Sequence, residues 1–80
     1  MEIRKILGKN ALALRREQGL TQEEVCQKAN LNRSYLWGIE KGIHNPSIEV
    51  VARLAKAYGV EPYELLMAKR RGGYKAQKRD

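Results

Sequence analysis

The sequence predicts an all-α fold, a compact domain of five helices, and three observations carry that prediction. Apolar residues recur at three- and four-residue steps along most of the chain. Capping residues punctuate those stretches, with Thr21, Asn32 and Ser47 ahead of them and Gly19, Asn30, Gly42 and Gly59 behind. No segment alternates apolar and polar residues as a half-buried strand would.

The first helix is expected over residues 3–18. Leu7, Ala11 and Leu14 form a stripe at i, i+4 and i+7, and Ile3 extends it backward. Leu12 falls off the stripe, so either the helix is slightly rotated or Leu12 faces outward. Gly19 ends the helix. The second helix covers residues 22–29. Thr21 can accept from a first-turn N–H, and Glu24 can reach back to the N–H of Thr21, completing a capping box. Val25, Cys26 and Ala29 share its inner face. Cys26 reads as a small buried hydrophobe in preference to a redox sensor. Asn30 suits the left-handed residue that closes such a helix.

The third helix covers residues 33–41. Asn32 caps it, Leu36 and Ile39 point inward, and Gly42 closes it. Gly38 is unusual there, costing on the order of 1 kcal/mol relative to Ala in a helix interior. Residues 43–46 form a loop, with Asn45 biased away from helix by Pro46. Ser47 caps a fourth helix over 48–58, with Val51, Leu54, Ala55 and Tyr58 on its buried stripe. Gly59 stops it. Glu61 and Pro62 open a fifth helix over 62–67. Leu65 and one of Leu66 or Met67 are expected in the core. Tyr63 and the remaining apolar residue are expected at least partly exposed, which makes Tyr63, Leu66 and Met67 candidates for a dimer contact.

Eighty residues fit one domain, residues 1–68, followed by a basic flexible tail, 69–80. Sixteen Lys and Arg against nine Asp and Glu give a net charge of +7, of which +5 lies in the tail. A basic excess favours a polyanionic partner, though a solubility role is the bland alternative. One Cys permits no internal disulfide and suits a reducing compartment. No apolar run approaches the roughly 18 residues of a membrane span, and the N-terminus lacks a signal-peptide core. A cytoplasmic protein with no membrane partner, no metal and no cofactor is expected. The chain offers no nucleophile, base or metal constellation, which argues against an enzyme.

The stretches Gly19-Leu20-Thr21-Gln22-Glu23-Glu24, Asn32-Arg33-Ser34-Tyr35-Leu36, Ile39-Glu40-Lys41-Gly42 and Asn45-Pro46-Ser47 resemble the phage repressor/Cro-type, XRE-like helix-turn-helix regulators. The likeness runs from about residue 7 to residue 66. The segment NLNRSYLWGIEKG is also similar to the small controller proteins of restriction–modification systems. The resemblance implies a lambda-repressor-like DNA-binding domain in which helices two and three form the helix-turn-helix. A short helix fits the major groove and reads base edges with side chains near its start. Those would be Arg33, Ser34 and Trp37. Arg33 can fork onto guanine O6 and N7. Trp37 can lie against a thymine methyl, or pack within a dimer or on the second helix.

Backbone phosphates would be met by Gln22, Tyr35, Lys41, His44 and Asn45. Gln22 and Asn45 match phosphate-contacting positions of the family, and the start of the second helix favours an anion for physical reasons as well. Tyr35 is alternatively a half-buried spacer, and His44 an incidental surface residue. Gly38 would be explained by close approach of a groove wall, or by drift within the family. Arg15 and Glu40 match a family pair that links the first helix to the end of the third; two parallel hydrogen bonds can join them.

The function implied is a sequence-specific transcriptional regulator that binds double-stranded DNA as a homodimer on an inverted repeat, by blocking or by touching RNA polymerase. The alternative is a protein-interaction module of the same fold, a bridging factor or antitoxin component. That alternative asks for Leu12, Trp37, Tyr63 and Met67 to be exposed together.

Overall fold

The computed structural model describes residues 2–68, which form five helices and, among the described residues, no strand. They are α1 (Ile3–Glu17), α2 (Gln22–Ala29), α3 (Arg33–Glu40), α4 (Ile48–Tyr58) and α5 (Pro62–Leu65). The expected tail, residues 69–80, lies outside the described residues. No helix among them is long and apolar enough to cross a membrane.

Local chemistry sets most helix ends. Thr21 Oγ1 accepts from Glu24 N at 3.0 Å, and Thr21 N donates to Glu24 Oε1 at 2.8 Å, so the capping box is complete. Asn30 takes φ 59°, the left-handed conformation an amide side chain tolerates. Asn32 Oδ1 accepts from Tyr35 N at 2.8 Å, and Ser47 Oγ from Val50 N at 3.2 Å. Gly42 leaves α3 at φ 77°, where a Cβ would be strained.

The core is a single cluster that draws on every helix: Leu7, Ala11 and Leu14 from α1; Val25, Cys26 and Ala29 from α2; Leu36 and Ile39 from α3; Val51, Leu54, Ala55 and Tyr58 from α4; and Leu65 from α5. The stripes read from sequence are therefore the buried ones, with corrections at the ends. Ile3, in the first turn of α1, is 43% exposed. Leu12 is half-buried, neither core nor free surface. α1 and α3 each end one residue before the expected position.

The largest correction concerns α5, which ends at Leu65 instead of residue 67. Leu66 is 41% exposed and Met67 half-buried, so neither joins the core. The reason is Asn10. Its Nδ2 lies in α1, nearly buried, and donates to the carbonyls of Glu64, Leu65 and Met67 at 3.3, 2.8 and 2.9 Å. The Leu65 carbonyl would otherwise be an orphan of the helix end. At the other end of α5, Glu61 N donates to Glu64 Oε2 at 3.1 Å.

α1 crosses α3 closely, and Gly8 permits it. A Cβ at Gly8 would stand 2.5 Å from the carbonyl oxygen of Ile39 and 2.8 Å from that of Glu40. With Ala11 fully buried beside this crossing, the backbone of α1 rests almost directly on the end of α3. Arg53 of α4 adds a second long-range tie, its Nε and Nη2 donating to the carbonyls of Ala29 and Asn30 at 2.9 and 3.3 Å. This satisfies the end of α2 immediately before the turn into α3.

Candidate nucleic-acid interface

α3 has one side anchored and the other open. Leu36 and Ile39 are fully buried, whereas Arg33 and Ser34 are exposed and Trp37 is 48% exposed. The three residues expected to read bases thus lie on the part of α3 that the core leaves uncovered. Ser34 Oγ donates to Asn32 Oδ1 at 3.2 Å, so it shares the cap of the helix. Arg33 also borders an open depression of about 530 Å³ together with Arg15, Leu20, Thr21, Gln22 and Glu23. Arg33 is in this way set beside the start of α2, where backbone N–H groups favour an anion.

The angle of α3 is held by a polar knot at its far end. Arg15 Nε donates to Glu40 Oε2 at 2.7 Å and Arg15 Nη2 to Glu40 Oε1 at 3.2 Å, a bidentate pair. Gln22 Nε2 donates to the same Oε1 at 2.9 Å, and Arg15 Nη1 to the Leu20 carbonyl at 3.1 Å. One carboxylate therefore joins α1, α2 and α3. The side chains of Arg15 and Glu40 are 17% and 6% exposed. The hydrogen bonds to Glu40 hold the Arg15 guanidinium above its usual pKa, against the opposing pull of burial. Gln22 spends one amide hydrogen in this knot and retains a second.

Tyr35 and His44 are brought together instead of standing as separate surface groups. Their rings stack with centroids 5.0 Å apart and planes 24° apart. Tyr35 packs against the core, and His44 is half-buried. His44 is therefore no incidental surface residue. Its imidazole also explains Gly38. A Cβ at Gly38 would collide with the imidazole carbon and nitrogen atoms of His44. The close approach inferred from sequence is real, but the surface that approaches is the protein's own loop. The Gly38 carbonyl accepts from Ile43 N at 2.9 Å and His44 N at 3.2 Å, which folds that loop against α3.

Lys41 and Asn45 are exposed. The Lys41 ammonium stands 5.7 Å from the centroid of the Trp37 ring, within cation–π range. The Trp37 ring, 48% exposed, is shared between solvent and Lys41. Cys26 is buried, and burial raises its thiol pKa, which suits an inert packing role. The residues that sequence reasoning missed are Gly8, Asn10 and Arg53. Each acts on backbone carbonyls far away in the chain, so no short-range pattern marks them.

A family model described as Helix-turn-helix matches residues 12–65. The uncharacterized HTH-type transcriptional regulator y4dJ of Sinorhizobium fredii is 44% identical over 66 residues, covering 82% of this chain and 86% of its own. Among solved structures, the restriction-modification controller protein C.AhdI from Aeromonas hydrophila superposes with a TM-score of 0.75 at 37% identity. That match covers 78% of this chain and 94% of the controller. The restriction-modification controller protein C.Esp1396I, solved as a tetramer in complex with its natural 35 base-pair operator, gives a TM-score of 0.73 at 30% identity. It covers 80% of this chain and 88% of that one. With α2 and α3 set as described, and a family match over most of the chain, this protein belongs to the helix-turn-helix family of the XRE, Cro/C1 type and is a DNA-binding transcriptional regulator.

Proposed function

We propose that the protein acts as a homodimer on an inverted-repeat operator in double-stranded DNA, with α3 in the major groove. The observation that carries this reading is the one-sided anchoring of α3. Leu36, Ile39 and the Arg15–Glu40–Gln22 knot hold it from within, while Arg33, Ser34 and Trp37 stay uncovered. Arg33 supplies the guanine fork, Ser34 a short-range polar contact and Trp37 an apolar edge. Gln22, Lys41 and Asn45 meet phosphates. Tyr35 and His44 contribute to the same backbone contact as a stacked pair. C.Esp1396I, a solved structural relative bound to its operator as a tetramer, supports oligomeric binding.

One helix reads few base pairs, so two copies are needed for useful selectivity, with half-sites roughly 34 Å apart or a multiple of that. Support for a second copy comes from the apolar groove lined by Ile3, Ile48, Val51, Pro62 and Leu66. Ile48 is 86% and Leu66 41% exposed along it, apolar surface that a second copy would cover. The interaction-module alternative is weakened, since Leu12 and Met67 are half-buried.

Selecting bound duplexes from a random pool tests the reading. An enriched inverted repeat is expected, and Arg33→Ala should cost roughly 1–3 kcal/mol on it and much less on random DNA. Equal losses on both would remove the base-reading role. Sedimentation showing only monomers at every workable concentration would remove the homodimer.

A further inference from the structure

We propose that Lys5 and Lys9 of α1, together with Lys41, form a further contact surface for duplex phosphates beside the end of α3; this rests on the DNA-binding reading above. Lys5 and Lys9 are one helical turn apart, so they share a face of α1, and both are exposed. The close crossing at Gly8 presses that face against the exit of α3. A Cβ at Gly42 would lie 3.2 Å from Lys5 Cγ, so the lysine stem runs directly over the turn. Lys5, Lys9, Glu40, Lys41 and Gly42 line one shallow pocket of about 260 Å³.

The charge in that pocket is unbalanced. Glu40 is its single carboxylate, and both Glu40 oxygens are occupied by Arg15 and Gln22. Among the described residues, the recorded ion pair joins Arg15 to Glu40 and involves none of the three lysines. Like charges one turn apart repel, so the grouping costs stability when no anion is bound. The negative end of α3 could attract lysines on its own account. Yet the carbonyls of Trp37, Gly38 and Ile39 are already satisfied by the N–H groups of Lys41, Gly42, Ile43 and His44, and the Lys41 ammonium sits over the Trp37 ring instead. That ring belongs to the uncovered side of α3. The lysine cluster is therefore continuous with the reading face and placed where a strand's phosphates would flank the groove. Lysine binds phosphate as a flexible point charge, which needs no preset fork.

The salt dependence of binding tests this directly. Each phosphate contact contributes about 0.9 to the slope of log affinity against log salt concentration. The double variant Lys5→Gln/Lys9→Gln should lower that slope by roughly 0.9 per lysine. Affinity should fall by the same factor on a selected operator and on random duplex, leaving their ratio unchanged. The charge-preserving Lys5→Arg/Lys9→Arg variant should keep the native slope. An unchanged slope in the Gln variant, with the native protein binding and Arg33→Ala still losing discrimination, overturns this inference alone. A native protein that binds no duplex overturns both this inference and the reading beneath it.

Discussion

The imidazole of His44 occupies the space that a side chain at Gly38 would need. α3 thus carries a glycine in its interior because the loop after it folds back and rests a ring there. Tyr35 stacks on that ring, and the Gly38 carbonyl holds the loop backbone. Helix, ring and loop form one unit that sets where Lys41 and Asn45 stand relative to α3.

This relationship predicts a change of sign. Gly38→Ala would normally stabilise a helix interior by about 1 kcal/mol. Here the added methyl meets a stacked, backbone-tethered ring, and overpacking of this kind costs about 1–3 kcal/mol. Gly38→Ala is expected to destabilise the native protein. In a His44→Ala background the space is open and the same substitution is expected to stabilise. A double-mutant cycle by urea denaturation checks this; equal effects in both backgrounds would show that the ring is not the obstacle.

Glu40 accepts from Arg15 through both oxygens and from Gln22 as well. Glu40→Ala would leave a largely buried guanidinium without its partner. Removing one side of a buried pair is far costlier than the pair is worth. A loss of more than about 1 kcal/mol is expected, together with weaker DNA binding as α3 loses its tether to α1 and α2. A denaturant midpoint that does not move would refute it.

Asn10 serves three carbonyls at the end of α5. Asn10→Ala takes this donor away from the Leu65 and Met67 carbonyls, and part of this site is closed to water. The expected loss is about 1–3 kcal/mol, the range for stranding buried acceptors. Because α5 flanks the proposed dimer groove, the variant should also weaken self-association in sedimentation. Native stability in this variant would mean water replaces the amide at no cost.

Tyr58 is the opposite case. Its ring is buried, and its hydroxyl is the one buried side-chain polar atom without a hydrogen-bond partner among the described residues. Tyr58→Phe is expected to be neutral or slightly stabilising at neutral pH, since removing an unmatched hydroxyl relieves a desolvation cost. Burial, and next the nearby Glu40 charge, raise the phenol well above its ordinary pKa. The unfolded chain therefore loses this proton first, near roughly pH 10. Below that pH the group contributes no slope; above it, stability falls as pH rises, because the folded state alone retains the proton. The Phe variant should lose less stability than the native protein between about pH 10 and 12. Parallel alkaline unfolding curves would contradict the assignment.

What the sequence determined by itself was written within four residues at a time. The capping box at Thr21 and Glu24, the left-handed Asn30, the cap at Ser47 and the apolar stripes of α2 and α4 all came through in the structure. Each depends on helical repeat and on side chains bonding their own backbone, so no distant partner was needed. The outward setting of Arg33 and Ser34 followed from the inward setting of Leu36 and Ile39 on the same short helix. Only the tertiary structure decided why Gly8 and Gly38 are glycines, why α5 stops at Leu65 and what Arg53 does. Those answers turn on groups 23 to 57 residues apart for the hydrogen bonds of Arg53 and Asn10. Such groups meet only after the helices have packed. The angle at which helices cross is set by fitted surfaces and shared carbonyls, and neither has a period along the chain.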